Sequence, residues 1–166
     1  MTPELHRPLP LRRIPQEGLT FDVVATAAEC AALAVRFGLP EVTALTCHFY
    51  LLPEAGGGIA AEATLDAQVI QVSVVSLDPF PVRLHDRFRL RFVPAGTEQD
   101  DDDPEAIDEI PFTGAVIDPG EVAAEQLALT LDPYPRKSGE TLDGPISAHR
   151  AQGSPFTILR GARTKP

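Results

Sequence analysis

The chain has 166 residues, 43% of them hydrophobic, with 17 prolines, no tryptophan and a formal net charge of −10. That length suits one ordinary domain, large enough to bury a core without disulfide or metal staples. No apolar run approaches the roughly 20 residues that cross a bilayer, and the lead-in around Arg7, Arg12 and Arg13 lacks the apolar centre of a signal peptide, so a cytoplasmic protein is expected.

The charge is unevenly spread. Eight acids and no base lie between residues 98 and 109, among them Asp100, Asp101, Asp102 and Asp103. From residue 136 onward six bases face two acids. This is a concentrated acidic loop followed by a basic tail. The predicted organisation is one domain over residues 1–139, containing the acidic loop, and a basic, loosely ordered tail over 140–166. Cys30 and Cys47 are the only cysteines. Two thiols 17 residues apart fit no metal motif, and a reducing cytosol disfavours a bridge, so they read as buried free thiols.

In chain order, residues 1–18 form a proline-punctuated lead-in and 19–25 a first strand. Thr26-Ala27-Ala28-Glu29 is a capping box, in which the hydroxyl and the carboxylate satisfy orphan amides at a helix start. The helix predicted over 26–37 stops at Gly38 and Pro40. Residues 42–52 alternate with a strand period, with Leu45, Cys47, Phe49 and Leu51 on one face. Three consecutive glycines at 56–58 then turn the chain into a second alternating strand, which makes a hairpin. At Ile70 the apolar phase shifts to Ile70, Val72 and Val74, which predicts a bulge or bend.

Residues 82–93 alternate most regularly. Val82, Leu84, Phe88, Leu90 and Phe92 share one face, with Asp86 as its single polar member. Arg83, His85, Arg87, Arg89 and Arg91 share the other. A strand is expected to return over 110–117. Asp118-Pro119-Gly120-Glu121 opens a second helix, predicted over 118–131, with aspartate as cap and proline in the first turn. The expected core comprises Phe21, Val23, Leu33, Leu45, Phe49, Leu65, Val69, Leu84, Phe88, Leu90, Phe92, Val122, Leu127 and Leu129. The fold class is α+β: a mainly antiparallel, strongly bent sheet, or a small open barrel, with two helices packed against it.

Nothing in the pattern points to catalysis. His6, His48, His85 and His149 are scattered, and none sits in a motif such as G-x-S-x-G or H-E-x-x-H. The glycine run at 56–58 lacks the lysine of a phosphate loop. Carboxylates crowded in solvent at 98–109 make poor acid–base catalysts. No catalytic residue, metal, cofactor or small-molecule substrate is therefore expected. The row Arg83, Arg87, Arg89 and Arg91 is the informative charge feature, since period two places it on one sheet face in an arrangement suited to phosphates. The same row could pair with nearby acids, the 98–109 loop above all. No aromatic residue interleaves with it along the strand, which argues against base stacking.

Residues 117–136, read as Ile-Asp-Pro-Gly-Glu-Val-Ala-Ala-Glu-Gln-Leu-Ala-Leu and on to Asp-Pro-Tyr-Pro-Arg, resemble the signature of the bacterial YceD family. The match falls on Asp118, Gly120, Glu121, Glu125, Leu127, Leu129 and Pro135. The lead-in from Arg7 to Gly18, the first helix, and Pro155-Phe156-Thr157-Ile158-Leu159 also look like family segments, in the manner of an alphaproteobacterial-type member. Ser73 stands where many members carry cysteine, so a metal or redox role tied to that cysteine does not transfer.

The resemblance implies a non-catalytic accessory factor that supports accumulation (synthesis, processing or stability) of the large-subunit ribosomal RNA. Two modes are open: contact with precursor ribosomal RNA through the arginine row and tail, or an adaptor in which Asp100–Asp103 reach a basic ribosome-assembly protein without touching RNA. A hydrolase with an unrecognised site is a third class, and no residue pattern supports it.

Overall fold

The computed structural model describes residues 3–99 and 103–141. The elements in order are β1 (Leu9–Pro10), a short 3-10 turn (Leu11–Arg13), β2 (Leu19–Val24), α1 (Ala27–Phe37), β3 (Glu41–Pro53), β4 (Ile59–Val72), β5 (Pro79–Pro94), β6 (Asp108–Phe112), β7 (Val116–Ile117) and α2 (Pro119–Thr130). Strands β2 to β6 form one five-stranded sheet in sequence order, and β1 pairs with β7 in a separate two-stranded ladder. The fold is α+β. The large sheet stays open, with β2 and β6 at its two edges.

Both helices form where local chemistry places them. Thr26 and Glu29 complete the capping box at α1, and Gly38 ends the helix in the left-handed conformation. Asp118 caps α2 through the amides of Gly120 and Glu121. The β3–β4 hairpin turns at the glycine run, where Gly56 and Gly57 take positive φ and Glu54 N–H donates to Gly58 O at 2.8 Å.

One sheet face carries the core: Leu45, Cys47, Phe49, Leu51, Leu65, Val69, Leu90 and Phe92 are all buried against both helices and the lead-in. Phe88 meets Phe49 edge to face at 6.1 Å, a favoured aromatic geometry. Asp86, the polar residue on this face, accepts a 2.6 Å hydrogen bond from Gln126 on α2. Burial pushes the Cys47 thiol up to about 12 and raises the Cys30 thiol. Both cysteines are free and buried.

Three expectations are corrected. The phase of β4 does not shift at Ile70: Gln71 stays on the buried face and donates to Asp132 O at 3.1 Å. The register shift lies one strand over, between Val42 and Ala44 of β3, which is how Val42 and Leu45 come to share the core. The return strand over 110–117 is two strands. The loop after β5 carries the chain back to the level of Leu90, so β6 runs parallel to β5. A turn with Gly114 at φ 72° then redirects β7 to β1. Leu129 is not core but 76% exposed, because Val122, Ala123, Ala124 and Leu127 already supply the buried side of α2.

Candidate nucleic-acid interface

The second face of the sheet carries no helix, and strand register assembles its side chains into rows. His48, Thr64 and Arg87 stand opposite one another across β3, β4 and β5, continued by Asp22 on β2. The next row is Thr20, Tyr50, Glu62 and Arg89. Apart from Asp22, these residues line a shallow groove of about 560 Å³.

The arginines divide into two groups. Arg91 is held by Glu54, with Nε to Oε2 at 2.7 Å, and by Glu109 at 3.5 Å, and these carboxylates raise its pKa. Arg83, Arg87 and Arg89 are exposed and make no ion pair or side-chain hydrogen bond with any described residue. One of the four is thus neutralised, chiefly by Glu54 of the β3–β4 turn with Glu109 of the acidic loop farther off, and three have no partner among the described residues. His85 and His48 are occupied by neighbouring carboxylates, Asp66 at 2.7 Å and Asp22 at 2.8 Å.

An aromatic residue joins the arginines after all, from two strands away. The ring of Tyr50 lies over Gly18, so closely that a Cβ there would come within 2.5 Å of its hydroxyl. That hydroxyl donates to Glu17 O at 2.9 Å. Gly18, at φ +98°, is therefore required twice, for its backbone conformation and for the close approach. Tyr50 remains 44% exposed. Outward phase was legible for Tyr50 from the alternation of residues 42–52. Its place beside Arg89 depends on the β3–β4–β5 register, which no local pattern contains.

The signature residues 118–121 do different work. Besides capping α2, Asp118 accepts the Arg7 amide at 2.8 Å and pairs with His6. Gly120 packs under the lead-in, where a Cβ would meet Leu5 O at 2.7 Å and Arg7 N at 2.9 Å. Glu121 holds Arg36 of α1 at 2.8 Å, and Arg36 also reaches Glu4 at 3.0 Å. The motif is a clasp that ties the lead-in, with Leu5 and Leu9 both buried, to the start of α2 and, through Arg36, to the last turn of α1. Leu127 is in the core, Glu125 is exposed on α2, and Pro135 O accepts the amide of Val74 at 2.9 Å. Ser73 is fully buried, pairs with Glu140 and accepts the amides of Val75 and Ser76 at 3.1 and 3.3 Å. The hydroxyl thus organises the β4–β5 turn.

Arg7 completes the clasp by gripping Glu29 with both guanidinium nitrogens, at 2.6 and 2.8 Å. This hydrogen bonding lowers the Glu29 carboxyl from its ordinary 4.5 to about 2, helped by the Thr26 amide and opposed by partial burial. A carboxyl whose pKa falls on folding adds stability above its unfolded pKa and loses it as pH drops towards the folded value. Thermal melts should therefore show a stability loss between about pH 4.5 and 2 that a Glu29→Gln variant lacks.

Asp100, Asp101 and Asp102 lie outside the described residues, as do residues 155–159 and the bases from Arg150 onward. Around them, Glu98 accepts the Gly96 amide at 2.6 Å and Glu109 that of Gln99 at 2.8 Å. Among the described residues no cluster of His, Cys, Asp or Glu is arranged to hold a metal ion, and no helix is long and apolar enough to cross a membrane.

The molecule is thus an α+β protein whose open sheet is cored on one face and on the other presents arginines, without ion pairs among the described residues, beside a fixed aromatic ring. It belongs to the YceD family: the family model described as large ribosomal RNA subunit accumulation protein YceD matches residues 61–153, more than half of the chain. The match takes in β4, β5, the acidic loop and α2. Membership ties the protein to ribosome biogenesis, in accumulation of the large ribosomal RNA subunit. No curated protein and no solved structure matches the chain.

Proposed function

We propose that this protein is a non-catalytic, cytoplasmic accessory factor that contacts precursor large-subunit ribosomal RNA through the free face of its sheet. The observation carrying this reading is the exposure of Arg83, Arg87 and Arg89 in one row without a carboxylate partner among the described residues. Phosphate contacts supply most of the affinity of such surfaces. The net charge of −10 keeps non-specific affinity low, so binding depends on local placement of the arginines rather than on overall attraction. The bases of residues 140–166 add to the same interaction.

A tagged pull-down from the native bacterium at moderate salt, with and without ribonuclease, tests this. Large-subunit precursor RNA and its early-binding proteins should be recovered, and ribonuclease should release the proteins. Ribosomal proteins retained after ribonuclease would instead favour an adaptor acting through the 98–109 loop. Recovery of no ribosomal material would sink both.

A further inference from the structure

The two rows of the groove have the dimensions of a nucleotide, and this extends the RNA reading above, on which it rests. Along β5, alternate residues recur at about 6.8 Å, comparable to the phosphate repeat of an extended polynucleotide, so Arg87 and Arg89 suit successive phosphates. Across the sheet, β3 lies two strands from β5, about 10 Å away. That is the reach from a phosphate to the far side of its own base. In the row Arg89–Glu62–Tyr50 a phosphate on the guanidinium would place its base beyond β4, beside the tyrosine ring.

Glu62 stands between them. A carboxylate repels phosphate but accepts from a base N–H, so it favours one orientation of the nucleotide, phosphate outward on β5 and base inward on β3. The ring is already immobilised by Gly18 beneath it and by its bond to Glu17 O, so little side-chain freedom is lost on stacking. A base can reach such a ring only when it is unpaired and splayed out, which a duplex does not offer.

We propose that the groove binds an unpaired stretch of RNA, with phosphates along Arg83, Arg87 and Arg89 and one base laid past Glu62 onto Tyr50. Tyrosine fluorescence tests this directly. The chain has two tyrosines and no tryptophan, so in a Tyr134→Phe protein all the signal comes from Tyr50. Titration with a twelve-nucleotide oligouridylate should quench it saturably, while a blunt-ended RNA duplex of the same length should quench it far less. Tyr50→Phe should bind within about twofold of the parent. Tyr50→Ala should bind roughly 5- to 150-fold more weakly, the usual worth of one base on an aromatic ring.

The two levels of the reading fail differently. Binding that is sensitive to Arg87→Ala and Arg89→Ala but leaves Tyr50 fluorescence unchanged would overturn base stacking and keep the phosphate contacts. Absence of binding to either RNA, or binding indifferent to those arginines, would overturn the RNA interface itself. Because the quenching is read on intact Tyr50, it does not depend on whether Tyr50→Ala folds.

Discussion

An Asp118→Ala variant should lose about 2–4 kcal/mol of stability, from the missing helix cap and the orphaned Arg7 amide together. Asp118 binds both the start of α2 and the lead-in. Without it the Gly120 and Glu121 amides at the start of α2 lose their acceptor and the lead-in loses its anchor. Leu5 and Leu9, buried by that anchor, would then be seated less firmly. For a chain of this size the loss corresponds to a fall in melting temperature of about 5–12 °C. Asp118→Asn keeps an acceptor oxygen for the two helix amides and should recover most of the loss. If Asp118→Ala melts like the parent but loses ribosomal RNA in the pull-down, the motif is a contact site and the clasp reading is wrong. Gly120→Ala should fail for a different reason: its Cβ meets backbone atoms of Leu5 and Arg7, which cannot move aside as a flexible side chain would.

Replacing Arg83, Arg87 and Arg89 together with alanine should weaken binding to single-stranded RNA by roughly tenfold or more and leave the fold intact. Each phosphate contact on a single strand contributes about 0.7 to the slope of log affinity against log salt, so the slope should fall by about 2. Stability should change little, within about 0.5 kcal/mol per site, because these side chains are exposed and support no described neighbour. Arg91→Ala provides the contrast. It removes the partner of Glu54 and Glu109 and should cost stability more than RNA affinity. Equal RNA binding by the triple variant, measured by anisotropy across a salt series, would remove this face from consideration. The acidic-loop adaptor would then be the reading to pursue, through Asp100–Asp103 changed to serine and glycine.

Much of the architecture was legible because its signals are local. The capping box at Thr26–Glu29, the Asp118 cap and the glycine run at 56–58 each act within a few residues, and strict alternation over 82–93 sorted apolar from basic positions without any tertiary input. The α+β class, both helices, the β3–β4 hairpin and the exposed arginine row all follow from such signals. Gln71 shows where local pattern misleads. Its neighbours Ile70 and Val72 are more apolar, yet pairing along the whole of β4 keeps alternation in phase and buries the glutamine, whose amide finds Asp132 O.

What the fold alone decided is pairing over long distances in sequence. Leu129 continues the helical stripe of α2 but faces outward, since a helix against a sheet has only one side to bury. The signature residues Asp118, Gly120 and Glu121 look like a helix start in isolation; only the return of residues 4–9 to that helix makes them a clasp. The meeting of Tyr50, Glu62 and Arg89 is of the same kind. Each strand's period sets which way its side chains point, but the register between strands sets which of them stand side by side, and the register comes from packing the opposite face.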